Sequence, residues 1–281
     1  MDSRQYWIVG LGELLWDLLP GGRHLGGAPA NFAYHASRLG NHGVIASRVG
    51  NDCLGVEALE RLREQGLTAE YIQVDAAHPT GTVRVRVDEG GQPDFTIAEG
   101  AAWDWMEWTP QWEGLAARAD AVCFGSLAQR SPRSRETIYQ FLAATRKEAL
   151  RIFDVNLRQS FYSRDCLDES MKLAGIAKLN DQELPEVARL FGLGCGSLEE
   201  RARNLLRAYG LQLVCVTRGA RGSMLVSATE TAEHAGIPAR VTDTVGAGDA
   251  FTAALASYYL RGASLAQMNE AANRLGSWVA S

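Results

Sequence analysis

Lysine is nearly missing from this chain of 281 residues: Lys147, Lys172 and Lys178 are all there is. None stands in a Gly-Lys-Ser or Gly-Lys-Thr context, which excludes a P-loop and predicts that any bound phosphate is held by backbone amides, arginine and metal. Cysteine is sparse as well. The five residues Cys53, Cys123, Cys166, Cys195 and Cys215 are odd in number, widely scattered and without a Cys-x-x-Cys pair, a pattern of reduced, packed thiols rather than a disulfide frame or a zinc site. The five histidines lack ligand spacing too. No hydrophobic run approaches transmembrane length, and the first ten residues, MDSRQYWIVG, have no basic region followed by a long apolar one; neither export nor membrane insertion is expected, and the chain reads as cytoplasmic. Positive charge is not in excess. A formal net charge of −5 and a pI near 5.6 argue against a nucleic-acid or anionic-membrane partner. No repeat and no low-complexity linker divides the chain, and its 46% hydrophobic content can fill a substantial core, so residues 1–281 read as a single domain.

What is present concentrates in Asp243-Thr244-Val245-Gly246-Ala247-Gly248-Asp249-Ala250-Phe251. Glycines flank an alanine directly before the apolar run from Ala250 to Leu260, the pattern of a loop opening into a buried helix. Free N–H groups and the positive end of the helix dipole make such a start an anion site, and glycine lets the anion approach closely. Asp249 stands in the first turn. It is placed either to cap the helix or to take a proton from a hydroxyl that attacks a phosphoryl group.

Upstream, Tyr6 to Val9 reads as a first parallel strand, closed by Gly10 and Gly12. Leu15 occupies the third position of a dinucleotide fingerprint and argues against one. Asp17 follows, where an open α/β sheet collects ligands, and suits either sugar hydroxyls or plain solvent. Gly26-Gly27-Ala28-Pro29-Ala30-Asn31 opens a helix to about Leu39, with Asn31 offering a donor and an acceptor on its inner face. Arg48-Val49-Gly50-Asn51-Asp52 and Gly55 read as a strand-to-helix turn, and Val56 to Gln65 as an amphipathic helix that Gly66 ends. The period then changes to two. Val83, Val85 and Val87 alternate with Arg84 and Arg86, Gly90-Gly91 makes a turn, and Phe95 and Ile97 follow: a β-hairpin. Trp103, Trp105, Trp108 and Trp112 read as packing under that hairpin or at a subunit contact. Thr109-Pro110 starts a helix.

In the C-terminal half, apolar strand candidates (Ala121 to Phe124, Ile152 to Val155, Ile176 to Leu179, Leu213 to Thr217) alternate with helical stretches (Ser131 to Leu150, and one opened by a Ser197/Glu200 capping box). Three strand ends carry polar groups. Asp154-x-Asn156-x-Arg158 offers Arg158 either as a phosphate clamp or for a surface ion pair. Asn180-Asp181-Gln182-Glu183 offers an oxygen pair at a helix start, suited to magnesium and its waters or to capping. Thr217-Arg218-Gly219-Ala220-Arg221-Gly222 is a turn of weak specificity. The last helix starts at Ser264 with Gln267 as its capping partner and carries Asn273.

Taken together these motifs resemble the PfkB carbohydrate kinases, the ribokinase-like sugar kinases. DTVGAGDAF looks like the family's C-terminal signature, and GGAPANFA, with Gly12 and Asp17 before it, like its sugar-binding signature in the form typical of fructokinases, as does the opening GELLWD. The resemblance spans the whole chain. It implies a doubly wound, mostly parallel α/β fold flanked by helices, with lid segments at about 14–25 and 79–100 forming a small β-sheet that also makes a homodimer contact. It implies ATP-dependent phosphorylation of a small-molecule sugar. Asp17, Gly26, Gly27 and Asn31 would hold the sugar with Arg158 closing from the side, Asp249 would be the base, and the turn Gly246, Ala247 and Gly248 the anion hole. Asn180 and Glu183, as the family's N-x-x-E, would order Mg²⁺, largely through water. Thr217, Gly219 and Gly222 would face ATP and Asn273 the adenine pocket. Family members usually continue beyond the position of Ser281 with a Gly-containing segment that finishes a K⁺ site near Asp243, so K⁺ activation is an open expectation. Fructose is the first expectation for the sugar. 2-Keto-3-deoxygluconate is the rival, with Arg84 or Arg86 as the arginine its carboxylate needs. A nucleoside kinase, lacking an extra aromatic pocket, and a non-catalytic sugar-binding regulator stand further off.

Overall fold

The computed structural model describes residues 4–19, 21–87, 93–240 and 242–281. In chain order its elements are β1 (Trp7–Leu11), β2 (Leu15–Leu19), β3 (Gly22–Gly26), α1 (Ala28–Arg38), β4 (His42–Gly50), α2 (Cys53–Glu64), β5 (Ile72–Asp75), β6 (Gly81–Val87), β7 (Pro93–Ile97), α3 (Pro110–Arg118) and β8 (Ala121–Gly125). Then come α4 (Pro132–Ala144), β9 (Leu150–Asp154), α5 (Arg164–Leu173), β10 (Ile176–Asn180), α6 (Glu183–Phe191), α7 (Leu198–Tyr209), β11 (Leu213–Thr217), β12 (Ser223–Val226), β13 (Thr231–His234), α8 (Ala247–Leu260) and α9 (Leu265–Ala280).

The main sheet runs β5-β4-β1-β8-β9-β10-β11-β12-β13, parallel from β5 to β11 and antiparallel at its last two strands. Parallel strands covered on both faces must be apolar on both, and successive residues of β1 obey this: Ile8 joins one core cluster with Phe32 of α1 and Leu255 of α8, while Val9 and Leu11 join another with Leu115 of α3 and Phe141 of α4. Order reverses at β1, whose neighbours β4 and β8 lead to opposite edges, and this switch point is where an open α/β sheet makes its crevice. The expected strand Tyr6 to Val9 therefore runs on to Leu11. The expected helix Ser131 to Leu150 stops at Ala144, because Thr145 turns extended and its hydroxyl bonds the Leu142 carbonyl, freeing Leu150 to begin β9.

A second sheet, β3-β2-β6-β7, forms a small lid, which the chain enters from the carboxyl end of β1. The β6–β7 hairpin is antiparallel as its alternation predicts, with Val83 opposite Ile97 and Arg84 opposite Thr96; the Gly90-Gly91 turn lies outside the described residues. The tryptophans divide. Trp103 and Trp112 are fully buried, Trp103 close under β6 at Gly81, whereas Trp105 is exposed and stacks on His78 at 4.2 Å between ring centroids. Caps fall where the sequence puts them: Thr109 accepts from Trp112 N, and Ser197/Glu200 and Ser264/Gln267 form reciprocal boxes.

Candidate active site

The loop before α8 is fixed by Gly246, whose φ of +77° lies in the left-handed region that a side chain resists. In an α-helix the earliest N–H groups have no carbonyl of their own turn to meet, so those of Gly248 and Asp249 make this helix start suited to an anion. Behind them the helix is apolar almost all round and buried from Ala250 to Ser257, which anchors it in the core.

Asp249 meets the sugar-side signature directly. Asn31 Nδ2 donates to Asp249 Oδ2 at 2.9 Å, joining residues 218 positions apart. Asn31 is held there because α1 begins at Ala28 with Pro29 in its first turn and presents Ala30 and Phe32 to the core. Gly27 has a φ of +110° and no room for a Cβ, since the Glu13 carbonyl occupies that place. Asp17, on β2, pairs with His24 and Val83, so all three share one face of the lid sheet, and its carboxyl lies over Gly26. Burial raises the Asp17 carboxyl above its usual value, Arg158 and His24 oppose this, and Asp243 adds to it. Asp243 itself is exposed and closes a turn by accepting from Val245 N at 2.9 Å. Burial, reinforced by the Asp154 charge, pushes Asp249 up to about 6, against the opposing effects of the Asn31 bond, Lys178 and Arg158. A carboxylate near that value is a competent proton acceptor at neutral pH.

On the other side of Asp249 opens a cleft of about 670 Å³, within the range of small-molecule sites. Ala247 and Gly248 line it together with Asn180, Glu183, Thr217, Gly219, Gly222 and Asn273, so every position the sequence offers for the nucleotide faces one space. Asn273 is partly committed elsewhere, donating to Ser223 Oγ at 2.7 Å. The segment Ala235 to Ala239 completes the wall; nothing in its sequence marked it.

Two site residues escaped the sequence reading. The first is Lys178, a cation beside the glycine turn that the sequence reading left out of the candidate site. It lies buried on β10, pairs with Asp154 at 3.0 Å, lines the cleft, and places Nζ 3.2 Å from where a Cβ of Gly248 would be. Burial opposes its charge, but Asp154, Glu183 and Asp249 outweigh that and keep it an ammonium. The signal was there: one lysine inside the apolar strand Ile-Ala-Lys-Leu-Asn needs a buried partner. The second is Glu13, buried just after β1, in a string otherwise apolar.

Magnesium is tested by the donor set. Asn180 Oδ1 accepts from the N–H groups of Gln182 and Glu183, and Glu183 spends one oxygen on Leu157 N at 2.9 Å and the other on Asn180 N at 2.8 Å. Both lone pairs of Asn180 Oδ1 are taken, while each Glu183 oxygen keeps one, enough to hold metal-bound water but not to build a cage, and among the described residues no three His, Cys, Asp or Glu side chains cluster as one. Magnesium, which keeps its waters and leans on substrate phosphates, fits such a site. Among the described residues no helix is long and apolar enough to cross a membrane.

Known proteins resemble this chain in sequence and fold. Residues 21–281 match the pfkB family carbohydrate kinases. A fructokinase of Salmonella typhimurium is 32% identical over 269 residues, covering 90% of this chain and 83% of that protein. A fructokinase of Vibrio cholerae, solved with fructose, ADP and calcium ion, superposes with a TM-score of 0.82 at 25% identity, over 100% of this chain and 94% of that one. An uncharacterized sugar kinase of Pyrococcus horikoshii, solved with ATP, does so with a TM-score of 0.80 at 29% identity, over 96% and 91%. By its two end signatures, its fold and this match along most of its length, the chain belongs to the PfkB family of carbohydrate kinases.

Proposed function

We propose that this kinase transfers the terminal phosphate of ATP to a primary hydroxyl of fructose, and that Asp249 takes the proton. The observation that carries the reading is the 2.9 Å bond between Asn31 and Asp249, which leaves one monosaccharide able to touch the sugar-side residues and the base together. In this scheme Asp17, Gly26, Gly27 and Asn31 hold the sugar. The alcohol O–H breaks toward Asp249 as the new P–O bond forms, and ADP leaves as the old one breaks. The amides of Ala247, Gly248 and Asp249, with Lys178 behind them and Arg158 at the side, stabilise the charge on the moving phosphoryl group. Asn180 and Glu183 would order Mg²⁺ through its waters, where the ion would supply charge neutralisation to the phosphates. Thr217, Gly219, Gly222 and Asn273 hold the nucleotide, and closure of the lid segments 14–25 and 79–100 excludes water, favouring transfer over ATP hydrolysis.

Fructose is preferred to 2-keto-3-deoxygluconate for an electrostatic reason. The sugar side carries Asp17 and Asp249 and is hostile to a substrate carboxylate, while Arg84 pairs in register with Leu18 rather than Asp17 and so stands on the opposite face of the lid sheet. An ADP-release assay across fructose, ribose, glucose and 2-keto-3-deoxygluconate, with and without K⁺, tests this: fructose should give the highest kcat/KM, and a preference for the acid sugar overturns the choice. The same assay decides whether Asp243 serves a K⁺ site, and light scattering decides whether the lid edges at β3 and β7 join two copies.

A further inference from the structure

Glu13 takes no part in the scheme above, yet its surroundings are those of a working group. It is 3% exposed, and its Oε2 is buried without a hydrogen-bond partner. The N–H groups of Ala28, at the start of α1, and of Glu13 itself are the nearest to favour its charged form. It lines a tight pocket with Asp249, Asp154, Asn156, Cys123 and Ser126, where about 10 Å³ is open to the centre of a water molecule, room for one at most. An ionised oxygen with no donor is strongly disfavoured in such a place, whereas a protonated one needs only an acceptor.

We propose that Glu13 is a positioning acid for phosphoryl transfer: as a neutral carboxyl it leaves Asp249 the working anion beside the alcohol, and its ionisation sets a further negative charge against the incoming nucleotide. The inference rests on Asp249 being the base. The groups around Glu13 are Asp249 from α8, Arg158 and the uncharged Asn156 from the loop after β9, Asp154 of β9 with its partner Lys178 of β10, and Cys123 of β8. Burial raises the Glu13 carboxyl to about 7 and the Asp249 charge adds to this, against its own and Ala28's N–H groups and Arg158. Asp249, which has the Asn31 amide as a donor where Glu13 Oε2 has none, ionises first. Two acids in one pocket thus lose their protons in sequence, as like charges require.

The test is the pH profile of kcat/KM for the sugar in wild type, Glu13→Gln and Asp249→Asn. Wild type should rise through the ionisation of Asp249 and then fall about tenfold per pH unit beyond that of Glu13. Glu13→Gln keeps an acceptor for Ala28 but cannot ionise, so whatever its level, it should keep the acid limb and lose the alkaline fall. A profile parallel to wild type makes Glu13 a helix cap and overturns the proposal. Should Glu13→Gln not fold, infrared spectra of Asp249→Asn answer instead: a protonated carboxyl band present at pH 6 and lost at higher pH is expected, and its absence at pH 6 overturns the idea. An Asp249→Asn enzyme of normal turnover sinks the base assignment and this inference with it; an inactive one beside an unchanged Glu13→Gln profile sinks the inference alone.

Discussion

Replacing Asp249 by asparagine should give a protein that is more stable and nearly inert. The carboxylate is raised from 3.8 to about 6, first by burial and then by Asp154, so the folded state holds its proton more tightly than the unfolded state does. A raised carboxyl contributes stability that is full below pH 3.8 and lost as pH rises through 6. At pH 7 the ionised group therefore weighs against folding by about two pKa units, or up to about 3 kcal/mol. Asparagine carries no charge, fills the same space and keeps an oxygen for Asn31. We expect a gain of about 1–3 kcal/mol at pH 7 to 8, which for a chain of this size raises Tm by about 2–5 °C. The gain should shrink toward zero as the pH falls to 4. Turnover should drop by about 10²–10⁴-fold, because the alcohol proton then has no acceptor. Thermal unfolding at several pH values, beside an ADP-release assay with unchanged sugar affinity, reads both. A destabilised variant would contradict the electrostatic argument, and one of near-normal kcat would falsify the base assignment.

Lys178→Met removes one half of a buried pair and leaves Asp154 uncompensated at 4% exposure; about 3–5 kcal/mol of stability should go, seen in urea unfolding, while the double variant with Asp154→Leu recovers stability but not kcat. Asn31→Ala loses its bond to Asp249, so KM for sugar should rise and the acid limb of the kcat profile should move to higher pH; a change in KM alone would show that the bond does not tune the base. Asp75, which does not line the cleft, is held at about 2, since the Ala77 N–H, His78 and Arg48 outweigh its burial. It contributes stability present above pH 3.8 and lost as pH falls through 2. Asp75→Asn should cost about 2 kcal/mol at pH 7 in thermal unfolding, with kcat unchanged.

The sequence by itself determined the layers and both ends of the site. Doubly apolar strands alternating with capped helices admit little besides a covered parallel sheet, and the period of two in β6 and β7 sets the lid hairpin apart. The glycine turn before α8 declares its anion site locally, because a left-handed residue, an unmet N–H and an acid in the first turn are all properties of one short segment. What tertiary structure decided is which distant groups face one another. Asn31 and Asp249 are joined only because α1 and α8 pack side by side on one face of the main sheet. The sign of Lys178 and the proton on Glu13 depend on burial and on charges brought from β9 and α8. A lone lysine or glutamate in an apolar strand reports that something must balance it; which group does so is a matter of distance in space, and distance is what a one-dimensional pattern leaves out.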